Sequence, residues 1–418
     1  MSKLIIEGGQ PLKGTVKISG SKNAALPIIA ATLLTDQTCR LSNVPRIEDV
    51  KNLLKIMEKL GTKYDFTGND LTIRTEKIKT HIIDKILVRS LRASILLMGP
   101  LLSRIGKCEI SHPGGCIIGK RPIGVHFDVL RAMGVKISQN EDSYIAETKK
   151  IILPKRIYMD EVSVTATENA IMAATLGQGQ TTLCPAACEP HVQDLVLFLQ
   201  KMGAVIDGEG THNVTITGVT KLNGTEHKIV SDEVESGTFA IAAIATKGKV
   251  KLENAPIKNL EPLIHKLNQM GAKTEIKGEE AIFSYQGPLK AVTIQVDTWP
   301  RIPSDLQPPL TVLATQAEGT SLVHDWIFDR RFGYTDDLAK MGANITMCDP
   351  HRVLVTGPTK LYPANLPTLD LRAGAAIVIA ALISKGTSEI EHAELIDRGY
   401  ESFDNRLKLL GANIKREQ

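Results

Sequence analysis

Three helix starts in this chain carry a cation where physics disfavours one. The first turn of a helix bears partial positive charge from its unpaired N–H groups, so Lys or Arg there costs a few tenths to about 1 kcal/mol unless an anion compensates. Lys22, Arg92 and Arg372 each open an apolar, small-residue segment: Ser21-Lys-Asn-Ala-Ala-Leu, Ser90-Leu-Arg-Ala-Ser-Ile and Leu369-Asp-Leu-Arg-Ala-Gly. A helix N-terminus with a cation beside it suits a phosphate or a carboxylate. Any one of them could be a solvated surface charge, but three at equivalent places point to an anion-lined cleft. Comparable segments carry Glu168, Glu235 and Asp305 instead, which suit the dipole and call for no ligand.

A second constellation is Ser111-His-Pro-Gly-Gly-Cys-Ile-Ile-Gly-Lys-Arg-Pro122. Its glycines let backbone amides approach a ligand, and Lys120 and Arg121 favour thiolate or proton-donor chemistry at Cys116. The bland alternative is a tight turn around a buried cysteine. Late in the chain, Arg331 lies in Phe328-Asp-Arg-Arg-Phe332 and Arg398 in Ile396-Asp-Arg-Gly-Tyr-Glu401. Each could pair with a neighbouring Asp; together with Lys22 and Arg372 they could grip a phosphate and a carboxylate at once. Asp305, after Pro303-Ser304, reads either as a helix cap or, among cations, as an acceptor for a hydroxyl proton.

The elements that must position these groups repeat. An amphipathic segment ending in Leu/Met-Gly and followed by a β-rich run occurs six times, at Gly61, Gly134, Gly203, Gly271, Gly342 and Gly411, spaced by 73, 69, 68, 71 and 69 residues. The glycine stands where a left-handed cap ends a helix. A polar start and an apolar, Ala-rich helix precede each by some 35 to 40 residues, so the unit reads helix, strand, helix, strand, strand. Helices this apolar predict burial on all sides, sheathed by sheets. The period exceeds the roughly 20 to 50 residues of solenoids, which favours compact domains built of several units.

Composition sets the outer limits. At 418 residues the chain exceeds what one core usually organises, so two or more domains are expected. The longest apolar stretches, 93–102 and 373–383, fall short of the roughly 18 residues needed to span a bilayer, so no membrane insertion is expected. Glu7 and a Gly pair interrupt the start before a signal-peptide core could form, which makes the cytoplasm the expected location. Fifty Lys plus Arg against 46 Asp plus Glu leaves +4, too weak a bias for a nucleic-acid partner. The sparse, irregular cysteines read as free thiols, and Pro185 between Cys184 and Cys188 argues against a metal pair there.

The motifs Gly20-Ser-Lys22-Asn23-Ala-Ala, Leu91-Arg92-Ala-Ser, Pro113-Gly-Gly-Cys116-Ile-Ile-Gly-Lys-Arg121-Pro122, Pro303-Ser-Asp305, Arg331-Phe, Leu369-Asp370-Leu-Arg372-Ala and Asp397-Arg398-Gly-Tyr-Glu together resemble the UDP-N-acetylglucosamine enolpyruvyl transferase family, from about residue 4 to 415. The resemblance implies an α/β fold of two domains, an inside-out α/β barrel like that of EPSP synthase, with six βαβαββ repeats, three per domain, and catalysis in the cleft between them. It implies one domain over 22–229 and another joining 1–21 to 230–418. The implied partners are the small molecules phosphoenolpyruvate and UDP-N-acetylglucosamine, with no cofactor and no metal; it leaves the oligomeric state open.

By the same resemblance Lys22, Arg121 and Arg398 bind phosphate, Arg331 and Arg372 bind the carboxylate, Cys116 donates a proton and is the residue fosfomycin alkylates, and Asp305 handles the acceptor hydroxyl. Asn23, Arg92, Arg121, Pro122, Ile123, Gly124, Val125, Ser163, Val164 and Ile327 contact the nucleotide sugar, and Asp370 belongs to the substrate site. Gly124, Thr165 and Cys188 depart from the pattern, where Asp, Gly and Arg are usual, and all three bear on the nucleotide side or on packing. Two alternatives stay open: 5-enolpyruvylshikimate 3-phosphate synthase, and a non-catalytic paralogue that binds a UDP-sugar.

Overall fold

A computed structural model describes residues 2–114 and 122–418. The chain forms two compact units. The first comprises residues 20–114 and 122–230, the second residues 2–19 and 231–418. Their boundaries lie side by side in each unit's own hydrogen bonding: Ser21 N donates to Val230 O at 2.7 Å in the first, and Asp232 N donates to Ser19 O at 2.9 Å in the second.

Among the described residues, three sheets belong to each unit, and most mix parallel and antiparallel pairs. In the first unit they run Glu226–Lys228, Cys39–Ser42, Asp70–Arg74, Lys63–Thr67; then Val205–Asp207, Val214–Thr217, Gln180–Cys184, Arg156–Tyr158; then Lys107–Ser111, Ser143–Glu147, Lys136–Gln139. In the second unit, Lys3–Gly8 lies between Gly386–Glu391 and Asn413–Glu417, antiparallel to both, with Asn365–Pro367 at the edge. Its other two sheets centre on Lys249–Glu253 with Glu280–Ser284 and on Ala317–Asp325 with Arg352–Gly357.

Each unit has its own apolar core, and the Ala-rich helices run through it. Glu233–Ala245, Gln307–Ala314 and Leu371–Ile383 in the second unit are buried along almost their whole length, as is Lys22–Ala31 in the first after Asn23. They bury small residues on every face because neighbours cover every face. The second class of helix is amphipathic: Glu48–Leu60 buries Val50, Leu53, Leu54, Met57 and Leu60 and turns Lys55, Glu58 and Lys59 outward. The six terminating glycines all adopt φ between 85° and 109°, the left-handed region that ends a helix without a Cβ clash.

Two helices of the first unit meet backbone to backbone. A Cβ on Gly99 would lie 2.6 Å from Asn169 O, and Gly99 N instead donates to Asn169 Oδ1 at 2.9 Å. This contact seats Met98–Ile105 against Val164–Ala174.

One expectation fails here. Glu168 does not stand at a helix start, because Ser163 caps the helix and Val164 begins it, which puts Glu168 in the second turn. Its side chain is buried, so desolvation lifts its carboxyl to about 8, while His191 works against the rise and Glu189 adds to it.

Candidate anion-binding and catalytic site

In the second unit the sequence brings one carboxylate between two buried guanidinium groups. Asp305 sits in the short 3-10 turn Ser304–Leu306 that leads into Gln307–Ala314, where Pro303 and Leu306 hold the N-cap positions. Its Oδ1 accepts from Arg331 Nη2 at 2.8 Å and its Oδ2 from Arg372 Nε at 2.9 Å. Arg331 is 4% exposed and Arg372 1%, whereas the Asp305 side chain is 29% exposed, so the carboxylate is the part of the cluster that meets solvent. The neighbouring Asp329 is therefore not what Arg331 pairs with at short range; the partner lies 26 residues earlier.

Other carboxylates fix the frame. Asp370 caps Leu371–Ile383 by accepting from Arg372 N at 2.7 Å and Ala373 N at 3.0 Å, which sets the Arg372 backbone. Asp325 accepts from Ser304 Oγ and from the backbone N–H groups of Ile327 and Phe328, tying the Asp305 turn to the segment that carries Ile327 and Arg331. Burial opposes the charge on both arginines. For Arg331 the field of Asp305, Asp370 and Asp325 outweighs it, and for Arg372 the Tyr400 hydroxyl with the fields of Asp305 and Asp232 does so, and both stay protonated. Asp232 caps Glu233–Ala245 through Val234 N and Glu235 N, both at 2.8 Å; desolvation raises it to about 7, with Arg372 pulling the other way.

These arginines keep buried donors in reserve. Arg331 Nε and Arg372 Nη1 and Nη2 have no hydrogen-bond partner among the described residues. Buried N–H groups are almost always paired, so donors left over at a buried cationic pair suit an incoming anion. Arg398 ends the 3-10 segment Ala393–Arg398, and the backbone beside it, at Gly399, passes close to Arg372: a Cβ there would lie 3.5 Å from Arg372 Nη1.

The first unit holds the other described residues of the expected set. Lys22 is the first residue of Lys22–Ala31, with Asn23 next and Ser21 as the cap. Lys22 Nζ pairs with Asp49 Oδ2 at 2.9 Å, and the Asp49 side chain is buried on Glu48–Leu60. Arg92 opens the 3-10 helix Arg92–Leu97 near His126, a buried ring driven down to about 3 by desolvation and by Arg92. His126 Nδ1 meets Asn169 Nδ2 at 2.9 Å, which makes it an acceptor and leaves Nε2–H to donate to Thr165 Oγ1 at 3.1 Å. Thr165 thus has a partner of its own. Ser163 Oγ accepts from Ala166 N, and Val164 begins the helix. Pro122 and Ile123 lead into the helix Gly124–Ala132, which includes Val125; a Cβ at Gly124 would meet no atom within 4 Å. Cys188 is buried and its thiol is pushed up by desolvation. Cys116, Lys120 and Arg121 lie outside the described residues.

Sequence reasoning missed Asp49, Asp232, Asp325 and His126. Asp49 had a faint signal, as an acidic residue in the first turn of a patterned helix. Tyr400 stood inside a quoted motif but was given no role. Among the described residues no group of three or more His, Cys, Asp or Glu could hold a metal ion, and no helix is long and apolar enough to cross a membrane.

The mixed α/β scaffold defines the class by its fold, the EPSP synthase-like fold of the enolpyruvyl transferases. A solved enolpyruvyl transferase from Streptomyces tendae matches with a TM-score of 0.90 at 24% identity, over 99% of this chain and 98% of that one. EPSP synthase from Acinetobacter baumannii matches at 0.77 and 20%, over the whole of both. The family described as EPSP synthase (3-phosphoshikimate 1-carboxyvinyltransferase) matches residues 6–407, and the chain belongs to it. Its curated relatives include a UDP-N-acetylglucosamine 1-carboxyvinyltransferase from Treponema denticola, 42% identical over 99% of each chain. A UDP-N-acetylglucosamine 1-carboxyvinyltransferase 2 from Carboxydothermus hydrogenoformans is 43% identical over 100% of this chain and 99% of the other.

Proposed function

We propose that this protein transfers the enolpyruvyl group of phosphoenolpyruvate to the 3'-hydroxyl of UDP-N-acetylglucosamine and releases phosphate, the committed step of peptidoglycan synthesis in the cytoplasm. The observation that carries the reading is whole-length identity above 40% to relatives of that name. The Arg331–Asp305–Arg372 cluster supports it, since its two arginines carry buried donors with no partner among the described residues, which suits a carboxylate ligand.

In this reading Cys116 protonates C3 of phosphoenolpyruvate, which makes C2 electrophilic. Asp305 takes the proton of the acceptor hydroxyl as its oxygen bonds to C2. The C2–O bond to phosphate then breaks, and loss of a C3 proton restores the double bond. Arg331 and Arg372 hold the carboxylate; Lys22, Arg121 and Arg398 neutralise the phosphate; Asp370 fixes Arg372. Asn23, Arg92, Pro122, Ile123, Gly124, Val125, Ser163, Val164 and Ile327 contact the nucleotide sugar, and fosfomycin alkylates Cys116. The recurring order helix, strand, helix, strand, strand, with three sheets to a unit and apolar helices inside, supports six βαβαββ units, three per enolpyruvyl transferase domain, in an inside-out α/β arrangement.

The test is steady-state phosphate release from phosphoenolpyruvate with each acceptor. Release with UDP-N-acetylglucosamine supports the reading. Release only with shikimate 3-phosphate would make the chain a 5-enolpyruvylshikimate 3-phosphate synthase, as its family's description allows. UDP-sugar binding without release would make it a non-catalytic paralogue.

A further inference from the structure

We infer that Tyr400 is a positioning residue for the substrate carboxylate, acting through Arg372; the inference rests on the function proposed above. The Arg372 guanidinium carbon lies 4.9 Å from the centre of the Tyr400 ring. Both residues are 1% exposed, so this cation–π contact is desolvated and near its strongest. An aromatic face attracts a guanidinium without accepting its N–H groups in line. Tyr400 therefore holds the cation through its face and its nearby hydroxyl, yet neither Nη1 nor Nη2 makes a hydrogen bond of normal geometry among the described residues, whereas a second carboxylate in its place would occupy them.

The ring itself is fixed at both ends. Thr238 Oγ1 donates its one proton to Val234 O at 2.8 Å, so the 2.9 Å contact between Thr238 Oγ1 and Tyr400 OH has the phenol as donor. The ring packs on Phe403 at 4.8 Å between centroids, and Phe403 packs on Phe239 at 5.6 Å. Thr238 and Phe239 both belong to Glu233–Ala245, the helix that Asp232 caps. One helix thus fixes the aromatic wall, the wall fixes the azimuth of the Arg372 fork, and Asp305 on Nε fixes its tilt.

The test measures phosphoenolpyruvate affinity by calorimetry, and KM and kcat by phosphate release, for the full-length protein and for Tyr400→Phe, Tyr400→Leu and Thr238→Val. Tyr400→Phe keeps the face and is expected within about threefold of wild type, and Tyr400→Leu removes it and is expected to weaken phosphoenolpyruvate binding about five- to thirtyfold, with a smaller change in kcat. Thr238→Val frees the phenol and is expected to fall between them; it carries the test if Tyr400→Leu gives no cooperative melt. Equal affinity in folded Tyr400→Leu and wild type, or equal loss in the Phe and Leu variants, would overturn the inference while leaving the function standing. Failure of the wild type to bind phosphoenolpyruvate at all would overturn both.

Discussion

Asp305 carries two tasks that a single substitution separates. As the carboxylate between Arg331 and Arg372 it offsets two buried charges, and as proposed base it meets the acceptor hydroxyl. Asp305→Ala is expected to cost about 2–4 kcal/mol of stability, read from the urea midpoint, since it leaves buried cations without their partner. Asp305→Asn is expected to cost less stability yet still slow phosphate release by at least about 100-fold. At Lys22 the expectation was an anion contact, and the structure gives it a resident carboxylate, Asp49. Lys22→Ala is expected to raise the KM for phosphoenolpyruvate at least about tenfold with the cooperative melt retained; unchanged kinetics would remove Lys22 from the anion site. The pairing of Lys22 with Asp49 was illegible because it joins residues 27 positions apart through helix packing, which no local pattern encodes.

Glu168 sets a pH dependence of its own. With a folded value of about 8 against an ordinary 4.5, the folded chain binds this proton more tightly than the unfolded chain does. Its contribution therefore falls as pH rises from about 4.5 to 8 and is level above that. Glu168→Gln removes the titration, so the variant is expected to gain about 3–4 kcal/mol on wild type between pH 5 and 8 in urea titrations. A constant difference across that range would refute the assignment. His191 and Glu189 face the same group and stay in place.

At the scale of elements, the glycine-ended helices and the apolar helices were readable because periodicity and composition are local. What the pattern could not give is how closely two helices approach. Gly99 lies within the apolar stretch 93–102, and it is the position where Met98–Ile105 touches the backbone of Val164–Ala174. Gly99→Ala would force a methyl group against Asn169 O and is expected to lower stability by about 1–3 kcal/mol, seen as a reduced melting temperature. The helix start was likewise misplaced, because the segment reads from the sequence as opening at Thr167, whereas Ser163 caps it four residues earlier. That shift moved Glu168 from a place the dipole welcomes to one that burial penalises.

For the molecule as a whole, composition called for more than one core, and the structure has two, one in each unit. The first unit is a single run of chain between residues 20 and 230, whereas the second joins residues 2–19 to 231–418. Residues 20–230 expressed alone are expected to unfold cooperatively in urea with an m-value near half that of the full chain, since m follows the surface exposed. A gradual, non-cooperative loss of circular dichroism would show that this core does not stand by itself.

The strand Lys3–Gly8, hydrogen-bonded on both sides to Gly386–Glu391 and Asn413–Glu417, has a bearing on how the protein is born. A ribosome adds about 5 to 20 residues per second, so its flanking strands emerge tens of seconds after it does. Leu4 and Ile6, fully covered in the finished fold, must wait through that interval as an unzipped, sticky edge. A segment made hundreds of residues ahead of both its neighbours is among the last that can be stitched in.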